Sequence, residues 1–226
     1  MRKGSYYKEK LSATKLARCY EIAPPRIKQY LNAEIRFVIS NLRSDDLILE
    51  LGCGHGRVLQ ETSRYVSWTV GIDISKESLR LAQTMENCQN CTVSVMDASQ
   101  TAFHSNIFDV VFCIQNGISA FCVHKDRLIA ESIRITKESG IILFSSYSPK
   151  IWPARLEWFN EQSRLGLIGE IDEEKTCDGT IVCKDGFKAT TVTDVQFAQL
   201  FHELGMNASI IEVDESSIFC KVVKER

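Results

Sequence analysis

Long apolar runs are missing from this chain. Its longest strongly apolar stretches, such as Val110–Ile114, are far too short to span a bilayer, so no membrane association is expected. A basic surplus is missing as well, since 27 Lys and Arg against 29 Asp and Glu leave a formal charge of −2. Nucleic-acid binding usually rests on Lys and Arg contacts to phosphate, so a nucleic-acid partner is not expected. The N-terminal Arg2, Lys3, Lys8 and Lys10 are not followed by an apolar core, so they do not read as a signal peptide. A cytoplasmic protein is the expectation. Internal repeats and low-complexity segments are absent, and histidine is scarce, with four in all. Cysteine is not scarce: there are nine. Cys88-Gln-Asn-Cys91 has metal-knuckle spacing, but zinc wants four ligands and no second C-x-x-C exists. No metal site is therefore expected, and the pair reads as structural. Cys177 and Cys183 flank a Gly-containing loop and read as two loop thiols with no role rather than as a metal or redox pair, while the odd count argues against a full disulfide framework.

The most informative stretch is Ile48-Leu-Glu-Leu-Gly-Cys-Gly-His-Gly-Arg57. An apolar strand ends in Glu50 and then in glycines at alternate positions, 52, 54 and 56, with a helix pattern directly after them. A strand, a Gly-rich turn and a helix in that order build a cofactor crevice at the carboxyl edge of a parallel sheet. A dinucleotide fingerprint would read G-x-G-x-x-G, whereas here the third glycine comes one residue early and Arg57 holds its place. The glycines are not followed by Lys-Ser/Thr, which excludes a phosphate-binding P-loop. Glu50 would repel a pyrophosphate and attract an ammonium group. The next strand, Trp68–Asp73, ends in an acid suited to two ribose hydroxyls.

Through Glu50-Leu-Gly-Cys-Gly-His-Gly56, Gly71-Ile-Asp73 and Val95-Met-Asp97, the chain resembles the class I, Rossmann-like S-adenosylmethionine-dependent methyltransferases, over about Asp45 to Ser146. The resemblance implies S-adenosyl-L-methionine as cofactor and a small-molecule methyl acceptor as partner. Glu50, Gly52, Cys53 and Gly54 would line the methionine part, and Asp73 would take the ribose hydroxyls. Ile74 would lie on the adenine face, and Asp97 would accept from the adenine amino group, with Ala98 giving a backbone N–H. Ile114, Gln115 and Asn116 would meet the methionine moiety and the methyl group. They do not form the Asn/Asp-Pro-Pro-aromatic signature of amino-group methylation on nucleobases or glutamine. Each acid has a structural alternative: Asp73 as a cap for the helix starting at Ser75, Asp97 as a turn residue. The pattern Tyr20-x5-Arg26-x3-Tyr30 resembles the helical cap of small-molecule members, in which Tyr20 and Tyr30 would close over cofactor or acceptor, or else pack the cap onto the sheet. No catalytic residue is assigned; Tyr20 and His124 are candidates, and His104 is a further possible base. His55 reads as a residue that shapes the glycine turn.

The periodicity predicts helices over 1–42, broken at Pro24-Pro25, with Ile27, Leu31, Ile35 and Val38 on one face. From there it predicts strand 47–51, helix 55–65, strand 68–73, helix 75–86, strands 91–96 and 108–114, helix 124–137 and strand 140–146. Thr193-Asp-Val-Gln196 reads as a capping box and Gly205 as the end of its helix, before an antiparallel pair over 207–213 and 217–223. The fold expected is α/β, three layers, with a seven-stranded Rossmann-like sheet in the order 3-2-1-4-5-7-6, mostly parallel with an antiparallel last strand, under an N-terminal helical cap. One domain would comprise the cap (1–42), the cofactor core (43–146), an insertion over the acceptor site (147–192) and closing elements (193–226). In the insertion, Trp152, Trp158 and Phe159 would line the acceptor pocket, ahead of a hairpin turning on Asp185-Gly186. A monomer or homodimer is expected. The competing readings are an RNA or protein methyltransferase, a catalytically silent relative, and a nicotinamide enzyme, the last opposed by the glycine spacing.

Overall fold

The computed structural model describes residues 6–84, 88–121 and 123–225. Seven strands form one sheet: β1 (Leu47–Leu51), β2 (Trp68–Asp73), β3 (Cys91–Val95), β4 (Phe108–Cys113), β5 (Thr136–Tyr147), β8 (Ala208–Val213) and β9 (Ser217–Val223). Their order is β3-β2-β1-β4-β5-β9-β8. The first five strands run parallel, and β9 is antiparallel to both its neighbours, so the expected order and the antiparallel last strand both hold. A two-residue pair, β6 (Ile181–Val182) with β7 (Lys188–Ala189), makes the expected hairpin, and Gly186 takes the positive φ of its turn, 98°.

Both faces of the sheet are covered, which is why its central strands are continuous apolar runs. Successive side chains on a strand point to opposite faces. Leu49, Val111 and Ile142 therefore pack on helices α6 (Lys125–Ile135) and α8 (Asp194–His202). Ile48, Val110 and Leu143 pack on α3 (Pro25–Ile39) and α4 (Arg57–Thr62). Two shorter helices precede α3, α1 (Tyr6–Glu9) and α2 (Ala13–Glu21), and Pro25 starts α3 where a missing backbone N–H costs nothing. Helices α5 (Lys76–Gln83) and α7 (Trp152–Arg164) complete the set. The capping box at α8 is present with both its bonds, and Met206 N–H returns to Phe201 O (2.9 Å) around Gly205.

Several boundaries differ from expectation. Helix α4 starts at Arg57 and not at His55, because Gly56 precedes it in the left-handed region (φ 84°), and its last turn tightens to a 3-10 turn at Ser63–Tyr65. Strand β5 starts at Thr136, which ends α6 at Ile135; Gly140 lies inside the strand, beside an irregularity in its pairing with β4. A Cβ there would come within 2.9 Å of the Asp109 carbonyl. Helix α5 ends at Gln83, and the expected residues 85 and 86, like residues 1–5 of the cap, lie outside the described residues. Cys88 and Cys91 are joined as a disulfide. No helix of the described residues is long and apolar enough to cross a membrane.

Candidate functional site

A cavity of about 360 Å³ opens at the carboxyl ends of β1, β2 and β4 and continues under α1, α2 and α7. Its floor is the glycine loop. Gly52, Gly54 and Gly56 all take positive φ (75°, 53° and 84°), which other residues adopt only with strain. A Cβ on Gly52 would stand 3.0 Å from the Phe121 ring, so the loop is a cradle that a side chain would fill. Asp73 locks that cradle: its carboxylate accepts from Gly54 N–H (2.9 Å) and from Ser75 N–H (2.8 Å). Burial pushes its carboxyl up, and these backbone bonds pull it back. The helix-capping role of Asp73 is thus shared with Ser75, whose hydroxyl accepts from Ser78 N–H at 3.2 Å.

Asp73→Ala is expected to cost both stability and affinity. It frees the Gly54 and Ser75 N–H groups together, and bonds to a charged acceptor contribute about 1.5–3 kcal/mol each. Melting and calorimetry on one variant check it. A loss of stability with product affinity untouched would make Asp73 a loop lock only.

An acid and a guanidinium face the cavity, each with buried polar atoms that have no hydrogen-bond partner. Glu50 is buried, one of its carboxylate oxygens makes no hydrogen bond, and burial pushes it up to about 8 against the pull of Arg57. Arg57 stacks over the Tyr20 ring at 4.7 Å, and its Nε and Nη2 are likewise buried without acceptors. Unpaired buried groups of this kind are costly and rare. One carboxylate and one guanidinium on a single wall complement the ammonium and carboxylate of an α-amino acid. Sequence reasoning missed Arg57 as a ligand; its signal was a basic residue in the first helical turn behind the glycines. Ile74, Asp97 and Ala98 line the same wall, and Asp97 accepts from the backbone N–H and hydroxyl of Ser99 (2.9 and 2.7 Å) in a local turn.

At the end of β4, Gln115 and Asn116 both hold φ of 57°, a strained pair of the kind that clusters at binding sites. Gln115 N–H donates to Glu34 Oε2 (2.7 Å) and to the Ser145 hydroxyl (2.9 Å), while its side-chain nitrogen faces the cavity unpaired. The Asn116 side chain is occupied: it donates to Thr190 O (2.7 Å) and accepts from Ser119 and Ser146 (3.0 and 2.8 Å), which ties β4 to the insertion. Glu34 also accepts from the Ser217 hydroxyl, and burial pushes it up to about 7. It too was missed, although a Glu seven residues after Ile27 and three after Leu31, inside an apolar stripe, is the available signal.

Other expectations are corrected. Tyr30 lies within the interior, against the Tyr147 ring at 5.2 Å, and does not reach the cavity wall. His124 is exposed at the start of α6 and His104 is exposed in its loop; neither lines the cavity. Trp152 stays off the wall, beside the Arg155 guanidinium at 5.6 Å. Tyr20, Trp158 and Phe159 do line it, as do Glu50, Gly52, Cys53, Gly54, Asp73 and Ile114. His55 lines it as well, and burial, with Arg57 beside it, lowers this imidazole to about 4, so it is neutral near pH 7. Among the described residues no group of three or more His, Cys, Asp or Glu could hold a metal ion.

With that geometry in place, comparison with known proteins is direct. A family model described as a methyltransferase domain matches residues 48–140. The chain is 26% identical over 133 residues to phthiotriol/phenolphthiotriol dimycocerosates methyltransferase 1 of Mycobacterium ulcerans, covering 57% of this chain and 48% of that protein. It spans about half the length of the curated relatives it matches. The N-methyltransferase NodS of Bradyrhizobium japonicum, solved with S-adenosyl-L-homocysteine, superposes with a TM-score of 0.65 at 13% identity, over 99% of this chain and all of that one. A Pyrococcus horikoshii protein does so with a TM-score of 0.65 at 19% identity, with the same coverage. At those identities the likeness is one of fold. The class these findings define is the Rossmann-like, class I S-adenosylmethionine-dependent methyltransferases. Residues 48–140 of the chain match a methyltransferase domain, and the fold is the one these proteins share, whose cofactor is S-adenosylmethionine.

Proposed function

We propose that this protein transfers the methyl group of S-adenosylmethionine to a small molecule held between the cap and the insertion. The observation that carries this is the unpaired Glu50 and Arg57 at one end of a cavity whose other end is aromatic and apolar. The cofactor's residues fit: a carboxylate for the ammonium, a guanidinium for the carboxylate, a glycine cradle without side chains, and Asp73 and Asp97 at successive strand ends. When bound, S-adenosylmethionine supplies an electrophilic methyl on a sulfonium that is also the leaving group. The protein's part is to align the acceptor with that carbon and to exclude water. Tyr7, Leu11, Tyr20, Trp158 and Phe159, from α1, the turn after it, α2 and α7, form the acceptor end. The name of the mycobacterial relative, a phthiotriol/phenolphthiotriol dimycocerosates methyltransferase, supports a small-molecule acceptor. An RNA or protein substrate is disfavoured by an aromatic chamber closed by two elements, and the balanced charge of −2 adds to this. We place the protein in the cytoplasm, which its unpaired Cys19, Cys53, Cys113, Cys177, Cys183 and Cys220 support and the single Cys88–Cys91 disulfide opposes.

S-adenosylhomocysteine at about 100 times its dissociation constant should add roughly 2.7 kcal/mol of stability, or roughly 5–10 °C in Tm for a chain of this size. NAD should add nothing. A shift with NAD and none with S-adenosylhomocysteine sinks the reading. Tritiated methyl entering the macromolecular fraction of a cell extract, and not the small-molecule fraction, would replace the acceptor by RNA or protein. Cofactor binding without any transfer would leave a silent binding protein.

A further inference from the structure

The acceptor end of the cavity holds a buried amide nitrogen that the fold leaves unused. Gln162, on α7, is 2% exposed and lines the cavity, and its side-chain nitrogen is buried with no hydrogen-bond partner. It stands four residues after Trp158 and three after Phe159, so all three share one face of the helix. The neighbouring polar groups on that wall are committed or neutral. The Trp158 indole N–H donates to Cys19 O (2.8 Å), which fastens α7 to the cap. The Tyr147 ring lies on the Arg155 guanidinium, 4.1 Å away. Burial pushes the Tyr7 and Tyr20 phenols up and the Cys19 thiol to about 12, so none of them is charged near neutrality. The acids of the cavity, Glu50, Asp73 and Asp97, and its guanidinium, Arg57, come from the strand ends and the first turn of α4, on the cofactor side.

An amide that is buried without a partner costs stability, and a ligand that meets it recovers the loss. A charged ligand at this end would lose its hydration, and the guanidinium beside Tyr20, that of Arg57, is assigned above to the cofactor's carboxylate. Flat aromatic walls favour a flat ligand. We propose that Gln162 is the polar anchor of the acceptor subsite, and that the acceptor is an uncharged, flat-ringed molecule with a hydrogen-bond-accepting oxygen or nitrogen that meets the Gln162 amide N–H. This rests on the methyltransferase reading above, and it goes further by naming the acceptor's chemistry and the residue that selects it. A site built to hydrogen-bond a substrate rejects the analogue without that group more strongly than one that only senses size.

The test uses the full chain saturated with S-adenosylhomocysteine, titrated by calorimetry with three probes of one shape. Indole-3-carbaldehyde carries a carbonyl acceptor, 3-methylindole carries none, and indole-3-carboxylate carries a charge. The wild-type protein should bind the carbaldehyde about tenfold more tightly than either of the others. In Gln162→Met, which keeps the chain length and removes the donor, the carbaldehyde should fall to the affinity of 3-methylindole, while S-adenosylhomocysteine affinity stays within about twofold. Should that variant not fold, the wild-type preference among the three probes still decides. Equal wild-type affinities, tightest binding by the carboxylate, no binding by any indole, or a preference that survives Gln162→Met would each overturn the proposal while the cofactor reading stands. No binding of S-adenosylhomocysteine at all would overturn that reading first.

Discussion

Glu50→Gln should weaken S-adenosylhomocysteine binding by about a hundredfold and at the same time raise the stability of the ligand-free protein at pH 8. Affinity falls because a buried charge that faces an ammonium is replaced by a neutral amide, and truncating one partner of such a pair costs about 2–5 kcal/mol. Stability rises for a reason of opposite sign. Burial, opposed by Arg57, pushes the folded Glu50 carboxyl from 4.5 to about 8. In the unfolded chain it ionises near 4.5, so between about 4.5 and 8 the unfolded state holds fewer protons and stability falls as pH rises. Glutamine carries no such penalty, so the variant's advantage grows across that window to on the order of a few kcal/mol and is complete by about pH 8. Ligand binding draws the proton off. Wild-type titrations at pH 7 in buffers of different ionisation heat should therefore show close to one proton released, and Glu50→Gln should show none. Equal affinities in the two proteins, with no difference in proton release, would remove Glu50 from the ammonium site.

What the sequence made legible follows a physical division. The glycine loop was readable because its function is carried by the backbone: positive φ at 52, 54 and 56 is a property of glycine itself. The strand order was readable because periodicity and the handedness of parallel crossovers leave few alternatives. Tertiary facts were not readable. That Glu50, Arg57, Gln115 and Gln162 each keep a buried polar atom without a hydrogen-bond partner depends on which elements meet over the sheet edge, and no local pattern encodes it. Tyr20 and Tyr30 look paired in sequence, but Pro24-Pro25 puts them on two helices, and only Tyr20 reaches the cavity. Arg26, between them, is spent on Asp214 at 2.6 Å. His124 was read as a base from its place beside a helix start, which in the structure is an exposed position. Of the three insertion aromatics, Trp152 is off the wall and lies instead beside the Arg155 guanidinium, 5.6 Å away.

Arg155→Met should lower stability on the order of 3 kcal/mol, roughly 6–12 °C in Tm, and should harm acceptor turnover far more than cofactor binding. Arg155 is fully buried, and among the described residues no carboxylate pairs with it. Its charge is met by the rings of Tyr147 (4.1 Å), Trp152 and Phe159 (both 5.6 Å) and by two carbonyls, Gly179 O (2.8 Å) and Ala189 O (3.3 Å). Those partners come from β5, α7, the loop before the hairpin and β7, so one side chain fastens the whole insertion to the end of the sheet. Methionine fills much of the volume but takes the guanidinium's hydrogen bonds from both carbonyls and gives the rings nothing cationic to lie on. Arg155→Lys should recover little, because an ammonium cannot stack as a planar guanidinium does. Tyr147 and Phe159 line the cavity, and neither Glu50 nor the glycine loop touches Arg155, so the damage should stay at the acceptor end. Melting curves together with S-adenosylhomocysteine titration below the melting temperature, expected within about threefold of wild type, test this. Cofactor affinity that collapses along with turnover would show that the two ends of the cavity are not held independently.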